Sequence, residues 1–128
     1  MKIKELLGSN AIGKVNFVVT TQYRPVREAE KDRQNPPWRV QPYLAGGGIF
    51  FNLASYTLDI LDFLLGPIVK ASGFASNQAL GCSRMGTWCF FSFQDVDRNE
   101  IVGSKGKLVF STFGDEPVRL ITAAGTKE

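Results

Sequence analysis

The sequence predicts one α+β domain, with a long helix packed on one face of an open, mainly antiparallel sheet. Three observations predict it. An apolar stretch of helical length runs from Ile49 to Leu65 and ends at Gly66-Pro67. Short β-branched and aromatic segments, separated by turn residues, fill the chain beyond Pro67. The 128 residues, 44% hydrophobic and 21% charged, suffice for one core and are too few for two.

The start, Met1-Lys2-Ile3-Lys4-Glu5-Leu6-Leu7-Gly8, reads as the last turns of a helix closed by Gly8. Gly13-Lys14 leads into a strand from Val15 to Thr21, rich in β-branched residues. Arg24 to Ala45 then holds Pro25, Pro36, Pro37 and Pro42 and the mixed charges Arg27 to Arg33, which reads as a solvated loop with at most one helical turn. A loop of this length is often functional. Gly46-Gly47-Gly48 precedes the long helix. Strands are expected at Ile68 to Ala75, Thr87 to Phe93, Glu100 to Gly103, Lys107 to Phe113 and Val118 to Ala123. Gly103-Ser104-Lys105-Gly106 and Gly114-Asp115-Glu116-Pro117 supply the turns between the last three. In Thr87 to Phe93, Trp88 and Phe90 fall on one face and Cys89, Phe91 and Phe93 on the other. Both faces are apolar, so a second copy of the chain is the expected cover for one of them.

Composition excludes several chemistries. There is no histidine, which removes imidazole-dependent triads and most zinc sites. Cys82 and Cys89 match neither a redox pair nor a metal clip, and no secretory leader precedes them. They are expected as reduced thiols in a cytoplasmic protein. The formal charge of +3 is no nucleic-acid footprint. The stretch from Ile49 to Leu65 carries Asn52, Asp59 and Asp62 and falls short of a bilayer span, so no membrane partner is expected. Gly103 to Lys107 lacks the spacing of a phosphate-binding loop. Lys105 to Phe110 faintly echoes an RNA-binding strand, but Lys107 stands where that motif needs an aromatic residue.

On a helical wheel Asn52, Ser55, Tyr56, Asp59 and Asp62 share an arc of roughly 120°, with Phe63 inside it. The bland reading is a core helix with a solvated stripe. Against it, the stripe follows a triple glycine, which admits close backbone approach. It also puts Asn52 and Tyr56 one turn apart near a helix N-terminus.

The run Pro37-Trp38-Arg39 to Ala45-Gly46-Gly47-Gly48, then Ile49 to Asp59 and Leu64-Leu65-Gly66-Pro67, resembles the C-terminal domain of the Gfo/Idh/MocA oxidoreductases. Gly8 to Val15 is similar to the segment where those enzymes leave their nucleotide-binding half, and Ile101 to Leu108 to their late hairpin. The resemblance implies a substrate-binding and dimerisation domain, forming a homodimer or higher homo-oligomer through its sheet. Its enzyme would move a hydride between NAD or NADP and a sugar, polyol or related hydroxyl compound. Tyr56 stands where the family's catalytic His usually stands, as in its tyrosine-bearing branches, and a phenol beside a cation can relay a proton. Asn52 replaces the usual Asp and can hydrogen-bond a substrate hydroxyl but cannot act as a base. Arg39 and Trp38 match the family's Trp-Arg as substrate-binding residues, and Gly46, Gly47 and Gly48 its close-approach turn beside the cofactor.

There are departures. No GxGxxG follows a strand, and the chain stops at Glu128 where relatives continue. The expectation is therefore a single domain over residues 1–128, truncated at its C-terminal end and lacking the Rossmann half. Alone it would be inactive and hold no cofactor. Either the full protein belongs to a tyrosine branch, or Asn52 and Tyr56 mark a catalytically dead member or a pure oligomerisation module.

Overall fold

The computed structural model describes residues 2–46, 48–70, 72, 88–90 and 92–128, and of Pro42 only the backbone. In order these form α1 (Lys2–Gly8), β1 (Val15–Tyr23), α2 (Glu28–Lys31), a 3-10 turn (Trp38–Val40), α3 (Pro42–Ala45), α4 (Gly48–Leu65), β2 (Trp88–Cys89), β3 (Val96–Gly103), β4 (Gly106–Phe110), β5 (Arg119–Thr122) and β6 (Gly125–Lys127). The strands make one six-stranded sheet in the order β2-β1-β3-β4-β5-β6. The ladders β3–β4, β4–β5 and β5–β6 are antiparallel, while β1 and β2 pair in parallel. The α+β class and the open sheet are as expected, and the parallel edge pair makes the sheet mixed. The chain divides into two compact units, Met1–Thr21 with Asp97–Glu128, and Gln22–Val96.

Among the described residues, most of the buried apolar side chains belong to the first unit. Ile3, Ile12, Ile101, Leu108, Val109 and Phe110 are buried. Three consecutive buried residues on β4 mean that both of its faces are covered. Ile101 sits directly opposite Leu108 in the β3–β4 register. The hairpin between these strands is fastened to residues 12–14. Lys105 N–H donates to the Ile12 carbonyl at 2.9 Å and Ser104 N–H to that of Lys14 at 2.9 Å. Gly103 makes this docking possible, since a Cβ there would lie 2.2 Å from the Ile12 carbonyl oxygen. Asp97 accepts the N–H groups of Thr112 and Phe113 at 3.0 and 2.6 Å, closing the loop after β4. Lys107 is tied to Glu100 at 2.7 Å and Arg98 reaches the other Glu100 oxygen at 2.7 Å. The Lys107 hydrogen bond, helped by Arg98 and opposed by burial, holds the Glu100 carboxyl below its ordinary range.

Several expectations are corrected. The opening helix ends at Gly8 as expected, but the left-handed residue that closes it is Asn10, with φ of 59°, and not Gly8 itself. Ala11 N–H bonds back to the Leu6 carbonyl at 3.1 Å, a closing pattern that asparagine tolerates. Residues 24–45 are not one loop with a single turn: they contain α2, the 3-10 turn and α3. Residues 68–70 are exposed and outside any strand despite Ile68 and Val69. The remainder of that expected strand, Ser72 apart, lies outside the described residues. Among the described residues of the segment from Thr87 to Phe93, Trp88 and Cys89 are strand and Phe90 lies in a turn. Thr87 and Phe91 lie outside the described residues, so a strand apolar on both faces no longer supports assembly. Cys89 is disulfide-bonded, which overturns its expected reduced state. Cys82 lies outside the described residues. Finally, Tyr43–Leu65 spans 23 residues and passes for a membrane helix by length and composition. The expected shortfall in length is therefore wrong. Two left-handed glycines, Gly46 and Gly48, break the backbone inside that span.

Candidate functional site

The site belongs to the unit Gln22–Val96 and grows from the end of β1. Gln22 and Tyr23 pair with Trp88 and Cys89, and the next residue extends the ladder. Arg24 N–H donates to the Cys89 carbonyl at 2.8 Å, and its own carbonyl accepts Ser92 N–H at 3.3 Å. The guanidinium of Arg24 is thereby launched from a fixed backbone. Its side chain is buried, as is that of Glu30, which is only 1% exposed.

Glu30 is the centre of the arrangement. It is the third residue of α2, where a carboxylate can reach back to the helix entry, and it accepts the Arg27 N–H at 3.0 Å. Arg24 Nη2 donates to both Glu30 oxygens, at 2.8 and 2.9 Å. Arg39 Nε, from the 3-10 turn, donates to Oε1 at 3.0 Å. Burial works against the charge, yet the bonds from Arg24, Arg27 and Arg39 outweigh it and hold the carboxyl at about 2. One carboxylate thus pins the end of β1, α2 and the 3-10 turn to each other.

Between α2 and that turn the chain is shaped by Asp32. Its Oδ1 accepts the N–H groups of Gln34 and Asn35 at 2.8 and 3.1 Å, an Asx-type turn that leads into Pro36-Pro37. Gln41 then reverses the path, donating from Nε2 to the Pro36 carbonyl at 2.6 Å and accepting the Tyr43 hydroxyl at 2.5 Å. Gln34, Asn35, Pro36, Val40, Gln41 and Tyr43 line an open depression of about 580 Å³.

The helix α4 follows. Its first residue, Gly48, has φ of 65°, and a Cβ there would face the Arg39 carbonyl oxygen at 4.0 Å. Gly46 is also left-handed, and a Cβ on it would meet nothing within 4 Å. Gly47 lies outside the described residues. The helix buries only Ala54 and Thr57, and Phe50 meets Trp88 edge-on with ring centroids 5.5 Å apart. Of the expected polar arc, Ser55, Tyr56, Asp59 and Asp62 are exposed and Asn52 is half-buried. Tyr56 is 55% exposed. The apolar positions of the helix are not uniformly inward either, since Phe50, Phe51, Leu58, Phe63 and Leu65 are all exposed. Among the described residues of this unit the helix packs on α3 and the 3-10 turn, elements of four and three residues.

The structure therefore brings Arg39, Gly48 and the start of α4 together, with Asn52 and Tyr56 on successive turns beyond. Trp38 is 55% exposed beside Arg39. The depression itself is lined by other side chains than Tyr56 and Asn52. Sequence reasoning missed Arg24, Glu30 and the lining of this depression. The one available signal was Glu30 standing three residues after a helix entry at Arg27. Among the described residues no cluster of carboxylate and cysteine ligands could hold a metal.

Comparison with known proteins fits this frame. A model of the GFO/IDH/MocA C-terminal domain matches residues 1–99. "Oxidoreductase P35" of Formosa agariphila is 31% identical over 129 aligned positions, covering 88% of this chain and 40% of that protein. Levoglucosan dehydrogenase, solved in complex with NADH and levoglucosan, superimposes with a TM-score of 0.66 at 18% identity, over 95% of this chain and 39% of that one. At that identity the likeness is one of fold. The chain spans about 40% of the length of the relatives it matches. With its α+β architecture and the glycine turn that opens α4, the chain belongs to the GFO/IDH/MocA C-terminal domain family.

Proposed function

We propose that this chain is the substrate-binding and dimerisation domain of an NAD(P)-dependent oxidoreductase acting on a sugar, polyol or related hydroxyl compound. The observation that carries the reading is the open polar face of α4. Tyr56 stands exposed one turn beyond Asn52, on a helix whose entry abuts the Arg39 segment through Gly48. Tyr56 Oη holds the proton exchanged with the reacting hydroxyl, and the Asn52 amide orients a neighbouring one. Trp38 offers an apolar ring face to the substrate, and Arg39, steadied by Glu30, offers its remaining N–H donors.

The dinucleotide supplies or accepts the hydride. Gly46 and Gly48, lacking Cβ atoms and left-handed, fit the part of the turn where such a group comes close to backbone. Dimerisation is supported by β1 of the other unit. Phe17 and Val19, two residues apart and so on one strand face, are 55% and 42% exposed.

The test is an assay of the protein that joins this chain to a dinucleotide-binding half. Neutral sugars and polyols are offered with NAD⁺ or NADP⁺, and formation of the reduced nicotinamide is followed. Turnover of a hydroxyl compound supports the reading. A protein that binds dinucleotide yet turns over none of the panel favours a dead family member.

A further inference from the structure

The depression lined by Gln34, Asn35, Pro36, Val40, Gln41 and Tyr43 lies outside the proton chemistry assigned to Tyr56, and its chemistry is specific. None of its lining residues is charged. Its volume of about 580 Å³ lies within the range of small-molecule sites and exceeds what one small polyol would fill.

Its aromatic wall is held in place. The Tyr43 hydroxyl donates to Gln41 Oε1 at 2.5 Å, and Gln41 Nε2 donates in turn to the Pro36 carbonyl at 2.6 Å. The Tyr43 residue is nonetheless 81% exposed, so its ring is held by its tip with its face open to water. The floor is held as well. Asp32 accepts the backbone N–H groups of Gln34 and Asn35, which fixes the path of that segment. Their side-chain amides make no hydrogen bond to the described residues and present both donors and acceptors. Glu30 fixes the 3-10 turn from which Val40 projects.

We infer that this depression binds a neutral pyranose ring, stacked on Tyr43 and hydrogen-bonded by Gln34 and Asn35, as a second sugar site apart from the Tyr56 face. A pyranose has an apolar C–H face and an equatorial rim of hydroxyls that both donate and accept. The tyrosine ring matches the first and the two amides match the second. A charged sugar acid is disfavoured, because its carboxylate would lose hydration with no cation in the lining to pair with it. An occupant here need not react, so the site goes beyond the proposed oxidoreductase chemistry. It suits a further ring of an oligosaccharide.

The test is a nuclear magnetic resonance titration of the chain with cellobiose, with glucuronate as the charged comparator. Expected are shifts centred on residues 34–43, including the side-chain amides of Gln34 and Asn35, with a Kd of about 1–10 mM. Glucuronate should shift them more weakly. Tyr43→Ala should remove the cellobiose shifts, and it should fold, since the side chain is largely in water. Tyr43→Phe keeps the ring, frees its tip and should weaken binding several-fold. Shifts centred elsewhere, no shifts at all, unchanged binding in Tyr43→Ala, or glucuronate binding as tightly as cellobiose would each overturn the inference. Failure of the Tyr56 reading would leave these shifts in place, whereas failure here would leave the effect of Tyr56→Phe on turnover untouched.

Discussion

Arg24 grips Glu30 with one nitrogen on both carboxylate oxygens, at 2.8 and 2.9 Å, and both side chains are buried. Because Arg39 shares the same carboxylate, Glu30 is the only anion set between two cations of this cluster. Removing it leaves a buried guanidinium without its counter-charge. Glu30→Gln is therefore expected to cost about 3–5 kcal/mol, measured by urea unfolding of the chain. A loss under ~1 kcal/mol would mean that the cluster is solvated in solution.

The same carboxylate sets an acid limit. Its folded value of about 2 lies below the ordinary 4.5, so Glu30 stabilises the fold above pH 4.5 and the contribution fades as pH falls toward 2. In that window the unfolded chain binds about one proton more than the native one at this site. Stability of the native chain should fall through the window more steeply than that of Glu30→Gln. Glu100 titrates in both proteins, so the difference between the two curves isolates Glu30.

Gly103 tests the hairpin docking. A Cβ at 2.2 Å from the Ile12 carbonyl oxygen forces backbone apart, so Gly103→Ala should cost about 1–3 kcal/mol. Gly8 ends α1 and a Cβ there meets nothing within 4 Å. Gly8→Ala should be neutral or stabilising by up to ~1 kcal/mol. Thermal unfolding of the pair separates close approach from the general effect of replacing glycine.

The exposed face of β1 bears on assembly. Sedimentation should find a dimer or larger oligomer, and Phe17→Asp should shift it toward monomer while leaving the circular dichroism spectrum unchanged. A monomer at high concentration, before any substitution, contradicts the dimerisation role.

Legibility in the sequence followed the range of the forces involved. The helix α4 was readable to within a residue, because Gly66 takes a φ of 93° and Gly66 N–H closes on the Asp62 carbonyl at 2.8 Å, both local events. The antiparallel hairpin of β3 and β4 was readable from its Gly-Ser-Lys-Gly turn. The order within residues 24–45 was not. Glu30 sits in what reads as a solvated charge run, and its burial depends on arginines six residues before and nine residues after it. Ile68 and Val69 have strand propensity with no ladder to join, while Gly125–Lys127 joins one with no apolar residue to announce it. Arg39 and Gly48 belong to one run of the family pattern in the sequence, and the structure brings their backbones together. The depression around Tyr43 was not legible, because its lining comes from turns rather than from a periodic element.

On the proposed function, Tyr56 handles the substrate proton. The most direct measurement compares Tyr56→Phe with the native protein, each joined to its dinucleotide-binding half, at saturating sugar and nicotinamide. A kcat lower by roughly 10²–10⁴-fold is expected, with folding, followed by circular dichroism, and dinucleotide affinity retained. Unchanged turnover per folded molecule would contradict it.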